Sequence, residues 1–138
     1  MWKLYAILAA VFASLTTITA KIGIKDVDSN LATAIRTLVV LFLAWGIVYM
    51  TGAHKGITSL TKTNWIFLGI SGLMTGLSWL FYFKAIQLGE VSKVAPIDKF
   101  SIVLTILLSF IILHEQVTLT TLIGGAFITA GTFVLLFA

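Results

Sequence analysis

The chain has 138 residues, 59% of them hydrophobic and only 10% charged, and its 9 lysines and arginines against 5 aspartates and glutamates leave a net charge of +4. A soluble domain of this size has nowhere to hide so much apolar surface, so the lipid bilayer is the expected solvent. Without cysteine, disulfides, thiolate metal sites and cysteine nucleophiles are excluded. The positive charge gathers mostly at segment ends, where lysine reaches lipid phosphates, and no basic block interleaved with aromatics points to nucleic acid.

A membrane helix needs about 20 largely apolar residues. The first such stretch, Leu4 to Ala20, follows Lys3 and ends in Thr19-Ala20-Lys21, an outline that imitates a signal peptide. Its apolar core is long and further spans follow, so it is expected to remain as a helix. Ser14, Thr17 and Lys21 are spaced to share one face. A connector from Gly23 to Asn30 carries Lys25, Asp26 and Asp28, with Asn30 placed to cap the second helix. That helix spans Leu31 to Met50 and holds Arg36 about two turns inside, where it can reach back toward headgroups or serve a site.

After the connector Thr51 to Asn64, the third span runs Trp65 to Phe83. Ser71, Thr75, Ser78 and Tyr82 form its polar stripe, and Trp79 and Phe83 continue the face of Gly72 and Gly76, a spacing that permits close helix contact. Lys84 complements the dipole at its end, and Leu88-Gly89-Glu90 stops it. The fourth span, Val91 to Leu113, contains the sole proline, Pro96, followed by Asp98 and Lys99. Asp98, Ser101 or Ile102, Thr105 and Ser109 share a face. Thr118 is placed to cap the fifth span, Leu119 to Phe137, where Thr121, Gly125, Thr129 and Thr132 line up and Ala126 and Ala130 form a second small-residue seam. Trp2, Trp45 and Trp65 suit the membrane interfaces. Runs such as Ile102 to Leu108 do not alternate as barrel strands do, so the fold class is an all-α membrane protein of five transmembrane helices.

Charges inside these spans carry most of the functional information. Each costs at least ~2.5–3.5 kcal/mol at bilayer depth and so faces a partner, a water-filled cavity or a solute. Adjacent helical residues point about 100° apart, which predicts that Asp98 and Lys99 do not satisfy each other and that each needs a partner on another helix, Lys21 or Lys84 being candidates for Asp98. Pro96 removes a backbone donor and is expected to kink the helix as a hinge. Any one hydroxyl stripe is explained by bonds back to its own helix. Four polar helices together favour a hydrated pathway lined by the first, third and fourth. The residues expected to touch a small-molecule solute are Ser14, Thr17, Lys21, Ser78, Trp79, Tyr82, Asp98 and Lys99, supported by Arg36, Lys84, Pro96, Ser101 and Thr105.

The stretch Leu80-Phe81-Tyr82-Phe83-Lys84-Ala85-Ile86-Gln87-Leu88-Gly89, then Ala95-Pro96-Ile97-Asp98-Lys99, Leu113-His114-Glu115 and Gly124 to Gly131 resembles the EamA domain of the drug/metabolite transporter superfamily, in its short bacterial and archaeal five-span form. The resemblance covers essentially the whole chain as a single domain, 1–138, and is most specific from Tyr82 to Glu115. His114 stands where the family often has glycine. Longer members contain two such units of opposite topology around a central cavity. This implies that the present half unit is completed by dimerisation, most simply as an antiparallel homodimer, in a prokaryotic plasma (inner) membrane. Loop lysines are nearly balanced between the two sides, with a weak bias toward a cytoplasmic N-terminus, and so permit both orientations.

The family exports amino acids and other small metabolites, which implies a secondary transporter working by alternating access. No GxxxxGK[ST] loop is present to drive it with ATP. Cations in the spans (Lys21, Arg36, Lys84, Lys99) outnumber Asp98, favouring an anionic or zwitterionic solute. A non-transporting membrane subunit and a lipid-linked sugar flippase are the alternatives. No intramembrane catalytic arrangement is apparent, so neither an enzyme nor a cofactor or metal is expected.

Overall fold

The computed structural model describes residues 1–137, which form six α-helices and one 3-10 helix. Helix α1 spans Trp2–Gly23, α2 Ser29–Met50, α3 Lys62–Leu88, α4 Val91–Asp98, α5 Phe100–Ile112 and α6 Leu119–Leu136, with the 3-10 helix Ala53–Ser59 between α2 and α3. Five stretches are long and apolar enough to cross a membrane, α4 and α5 together making the single span Val91–Ile112. Side chains such as Phe12, Phe42, Phe67, Phe81 and Phe127 lie exposed on these helices. That is the expected inversion for a protein whose outer solvent is hydrocarbon.

Helix ends follow local chemistry. The carboxylate of Asp28, not Asn30, caps α2, accepting from the Asn30 and Leu31 backbone N–H groups at 2.9 and 3.1 Å. An aspartate is as good a cap as asparagine and adds charge complementarity to the helix N-terminus. Thr118 caps α6 through the Thr121 N–H, as expected. Helix α3 ends at Leu88, where Leu88-Gly89-Glu90 is expected to stop it and five residues beyond the apolar stretch Trp65 to Phe83, so Lys84 and Gln87 are helical. Helix α5 ends with His114 in left-handed backbone at φ +53°, a conformation that glycine adopts freely and other residues adopt at a cost. The Glu115 N–H then bonds back to the Ser109 carbonyl at 3.2 Å.

The described residues resolve into two compact units, residues 19–87 and residues 1–18 with 88–137. In the first, Ile24, Phe83 and Ile86 are the buried apolar centre. Polar ties surround it: Lys21 Nζ donates to the Ile86 carbonyl, and Gln87 Nε2 donates to the carbonyls of Ile24 and Val27 at 3.3 and 2.6 Å. These bonds take up backbone acceptors just after α1 and in the last turn of α3, which in lipid must find an internal partner.

In the second unit, α6 packs along both α4 and α5. Gly125 is buried, and a Cβ there would meet Ile106 Cδ1 at 3.5 Å. That is ordinary van der Waals contact, so α6 packs there against Ile106 of α5 without needing glycine. Gly72 and Gly76 on α3, in the first unit, have open space at the Cβ position among the described residues, so the seam expected there makes no tight contact within that unit.

Candidate functional site

Hydroxyls of the expected stripes bond mainly to their own helices. Ser14 donates to Val11 O, Thr17 to Ala13 O, Thr75 to Ser71 O, Thr105 to Ser101 O and Thr129 to Gly125 O, at 2.8–3.1 Å. Such back-bonding hides a hydroxyl from lipid at little cost. It removes the need for a partner across the helices, so a hydroxyl stripe by itself does not define a pathway. Ser78 and Ser101 are exposed on α3 and α5.

Two charged features remain, one in each unit. In residues 19–87, Arg36 of α2 reaches α3, where its guanidinium carbon sits 4.4 Å from the Trp79 ring centroid and 4.5 Å from that of Phe83. The spacing of Trp79 and Phe83, four apart on a helix, presents both rings on one face, and a planar guanidinium is weakly hydrated enough to lie against them. Tyr82 is within electrostatic reach of Arg36 and meets Phe83 edge-on at 5.8 Å. Arg36 Nε is buried without a hydrogen-bond partner. The residue borders a cavity of about 240 Å³ shared with Gly23, Ile24, Val27, Ile35 and Phe83. Arg36, expected as a supporting residue, thus lies against Trp79, one of the residues expected to touch the solute.

Lys21 and Lys84 are occupied structurally in this unit. Lys21 holds the Ile86 carbonyl, and Lys84 Nζ lies 3.4 Å from Gln87 Oε1, the amide whose nitrogen ties down Ile24 and Val27. Gln87 was not among the expected residues. A single carboxamide in the last turn of an apolar span is the signal that marks it.

In the other unit, Asp98 and Lys99 lie inside the span Val91–Ile112, and the structure corrects both the expectation that they do not satisfy each other and the continuous helical geometry on which it rested. They do pair with each other, Lys99 Nζ standing 3.4 Å from Asp98 Oδ2. They also lie at a helix boundary, since α4 ends at Asp98 and α5 begins at Phe100. The pairing is possible because the lysine stem is long and flexible and bends back at the interruption. Pro96 has no N–H for the Ser92 carbonyl. Lys99 gives its N–H to the Pro96 carbonyl at 3.1 Å, and Ile102 donates to Lys99 at 3.0 Å, both 3-10 bonds in place of α-helical ones. The Asp98 and Lys99 side chains are 34% and 54% exposed, too open for lipid to be their neighbour in a stable state. An apolar groove bordered by Pro96, Lys99, Phe127, Gly131 and Thr132 adjoins them.

No cluster of three or more histidine, aspartate or glutamate side chains fit to hold a metal ion occurs among the described residues.

Five helices long and apolar enough to cross a membrane define an integral, multi-pass membrane protein. The EamA-like transporter family matches residues 1–137, and the chain belongs to that family. It is 42% identical over 134 residues to a curated Sinorhizobium sp. protein named as an uncharacterized transporter in the cobO 3' region, a similarity covering 97% of this chain and 95% of that one. No solved structure matches. The family and this relative point to a transporter and not to an enzyme.

Proposed function

We propose that this transporter is a secondary carrier, working as an exporter, of small polar or amphipathic metabolites such as amino acids, and that it operates by alternating access as a homodimer. The observation that carries the reading is the interrupted fourth span: Pro96, Asp98 and Lys99 place a helix break and an open ion pair inside Val91–Ile112. Irregular backbone at membrane depth is tolerated where it is covered by protein or lines a water-filled cavity, and broken helices recur at the solute sites of secondary carriers. A break is also a place where a helix can bend between two states.

An exposed ion pair within a membrane span needs a cover. A second copy supplies one, and the near balance of loop lysines permits the copies to insert in opposite orientations. Uptake of a panel of metabolites into proteoliposomes tests transport; folded protein with no saturable flux of any solute would count against it. Antiparallel assembly predicts that a tag on one terminus is reachable from both sides of the membrane. Two or three lysines added to the connector Thr51 to Asn64 should then abolish activity, and an oppositely biased variant should restore it. If every terminus lies on one side and activity persists, the antiparallel arrangement is wrong.

A further inference from the structure

We propose that the Arg36 cavity is a binding site for an amphipathic monoanion, a carboxylate with an apolar body, and that it discriminates against zwitterionic amino acids. The inference rests on the proposed transport reading and narrows its solutes to amphipathic carboxylates without an ammonium group, setting the amino acids aside, but the binding itself stands apart from flux.

An arginine remains charged at any accessible pH, and a charge at membrane depth calls for a counterion. Among the described residues Arg36 has neither an ion pair nor a hydrogen bond. Its recorded contacts are the faces of Trp79 and Phe83, and its Nε is buried and unpartnered. A guanidinium stacked on two rings is fixed in orientation and keeps its in-plane N–H donors for an external oxyanion, the geometry that suits a carboxylate. The rest of the 240 Å³ cavity is apolar, with Gly23, Ile24, Val27, Ile35 and Phe83 on its wall. No aspartate or glutamate borders it. An ammonium group entering with the carboxylate would be desolvated without an anionic partner, which is costly, whereas a branched or aromatic body would be buried favourably.

A lipid phosphate offers similar oxyanion chemistry, and the test separates the two sources. Equilibrium binding of benzoate and isovalerate, beside phenylalanine and leucine as their zwitterionic counterparts, is measured on purified protein in detergent, and again in nanodiscs with and without phosphatidylglycerol. The expected result is saturable carboxylate binding, about tenfold or more tighter than that of the matched amino acids, and not displaced by the anionic lipid. Arg36→Gln should weaken it about tenfold or more, and Arg36→Lys should fail to restore it, because an ammonium lacks the planar donor pair. Gly23→Leu provides a second arm that leaves Arg36 intact: a Cβ at Gly23 meets nothing within 4 Å, so the side chain has room to enter the cavity and should block binding in a folded protein.

Unchanged affinity in Arg36→Gln or in Gly23→Leu, equal binding of the amino acids, no carboxylate binding by the native chain, or displacement by phosphatidylglycerol would each overturn the assignment. Carboxylate binding with the predicted losses but no flux of any solute would uphold this site while removing the transport reading.

Discussion

Arg36 and Lys99 are both cations inside apolar spans, and the protein treats them in opposite ways. Lys99 has its counterion on the neighbouring residue, at a point where the helix is interrupted. Arg36 sits on an unbroken helix, seven residues beyond Ser29 or about 10 Å along the axis, and receives aromatic faces instead of a carboxylate. A paired charge can be uncovered by a change of backbone, whereas a charge without a counterion is completed by whatever anion arrives. The first arrangement suits a moving element and the second suits a recognition site.

The strongest way to break this contrast is to give Arg36 a counterion of its own. Ala32 lies one turn before Arg36 and borders the same cavity, so Ala32→Asp should form an i,i+4 pair with it and lower carboxylate binding about tenfold or more by occupying the guanidinium. Persistence of binding in titration calorimetry would show that the anion site lies elsewhere. The converse change, Asp98→Asn, strands Lys99. Asp98→Asn and Lys99→Gln should each reduce flux sharply while the protein still inserts. Removing one partner alone should lower resistance to thermal unfolding in detergent by more than removing both, since a lone charge costs about 3 kcal/mol or more at this depth. Near-normal transport by both single variants would remove Asp98 and Lys99 from the mechanism.

The backbone side of the contrast is tested by Pro96→Ala. Restoring the donor toward the Ser92 carbonyl should straighten the fourth span and slow interconversion, read as a several-fold loss of turnover at unchanged solute affinity. If affinity falls and turnover per bound solute does not, Pro96 shapes a site instead of a hinge. A smaller effect is expected where Gln87 supports the unit that holds Arg36. Gln87→Leu leaves the Ile24 and Val27 carbonyls without that donor and should cost about 1–3 kcal/mol, seen as faster hydrogen exchange near residues 24–31. The smallest is His114→Gly at the end of α5. It relieves a left-handed residue and should stabilise the protein by about 1 kcal/mol, with transport unaffected.

Much of the fold was legible because the bilayer imposes one-dimensional rules. Apolar length and the absence of period-two alternation place five helical spans, and the motif from Tyr82 to Glu115 carries the family. Cap chemistry was legible to the residue at Thr118 and missed at α2, where Asp28 competes with Asn30 two positions away and only the backbone path decides between them.

At the sites, sequence alone determined which charges lie at membrane depth and that a proline precedes two of them. Only tertiary structure decided what each charge touches. Helical geometry predicted that Asp98 and Lys99 diverge, a rule that holds for a continuous helix and lapses where 3-10 bonds interrupt it. The meeting of Arg36 with Trp79 and Phe83 joins residues 43 and 47 positions apart, through the approach of α2 to α3. No periodicity along one helix encodes the register between two, because that register is set by how side chains from separate segments pack.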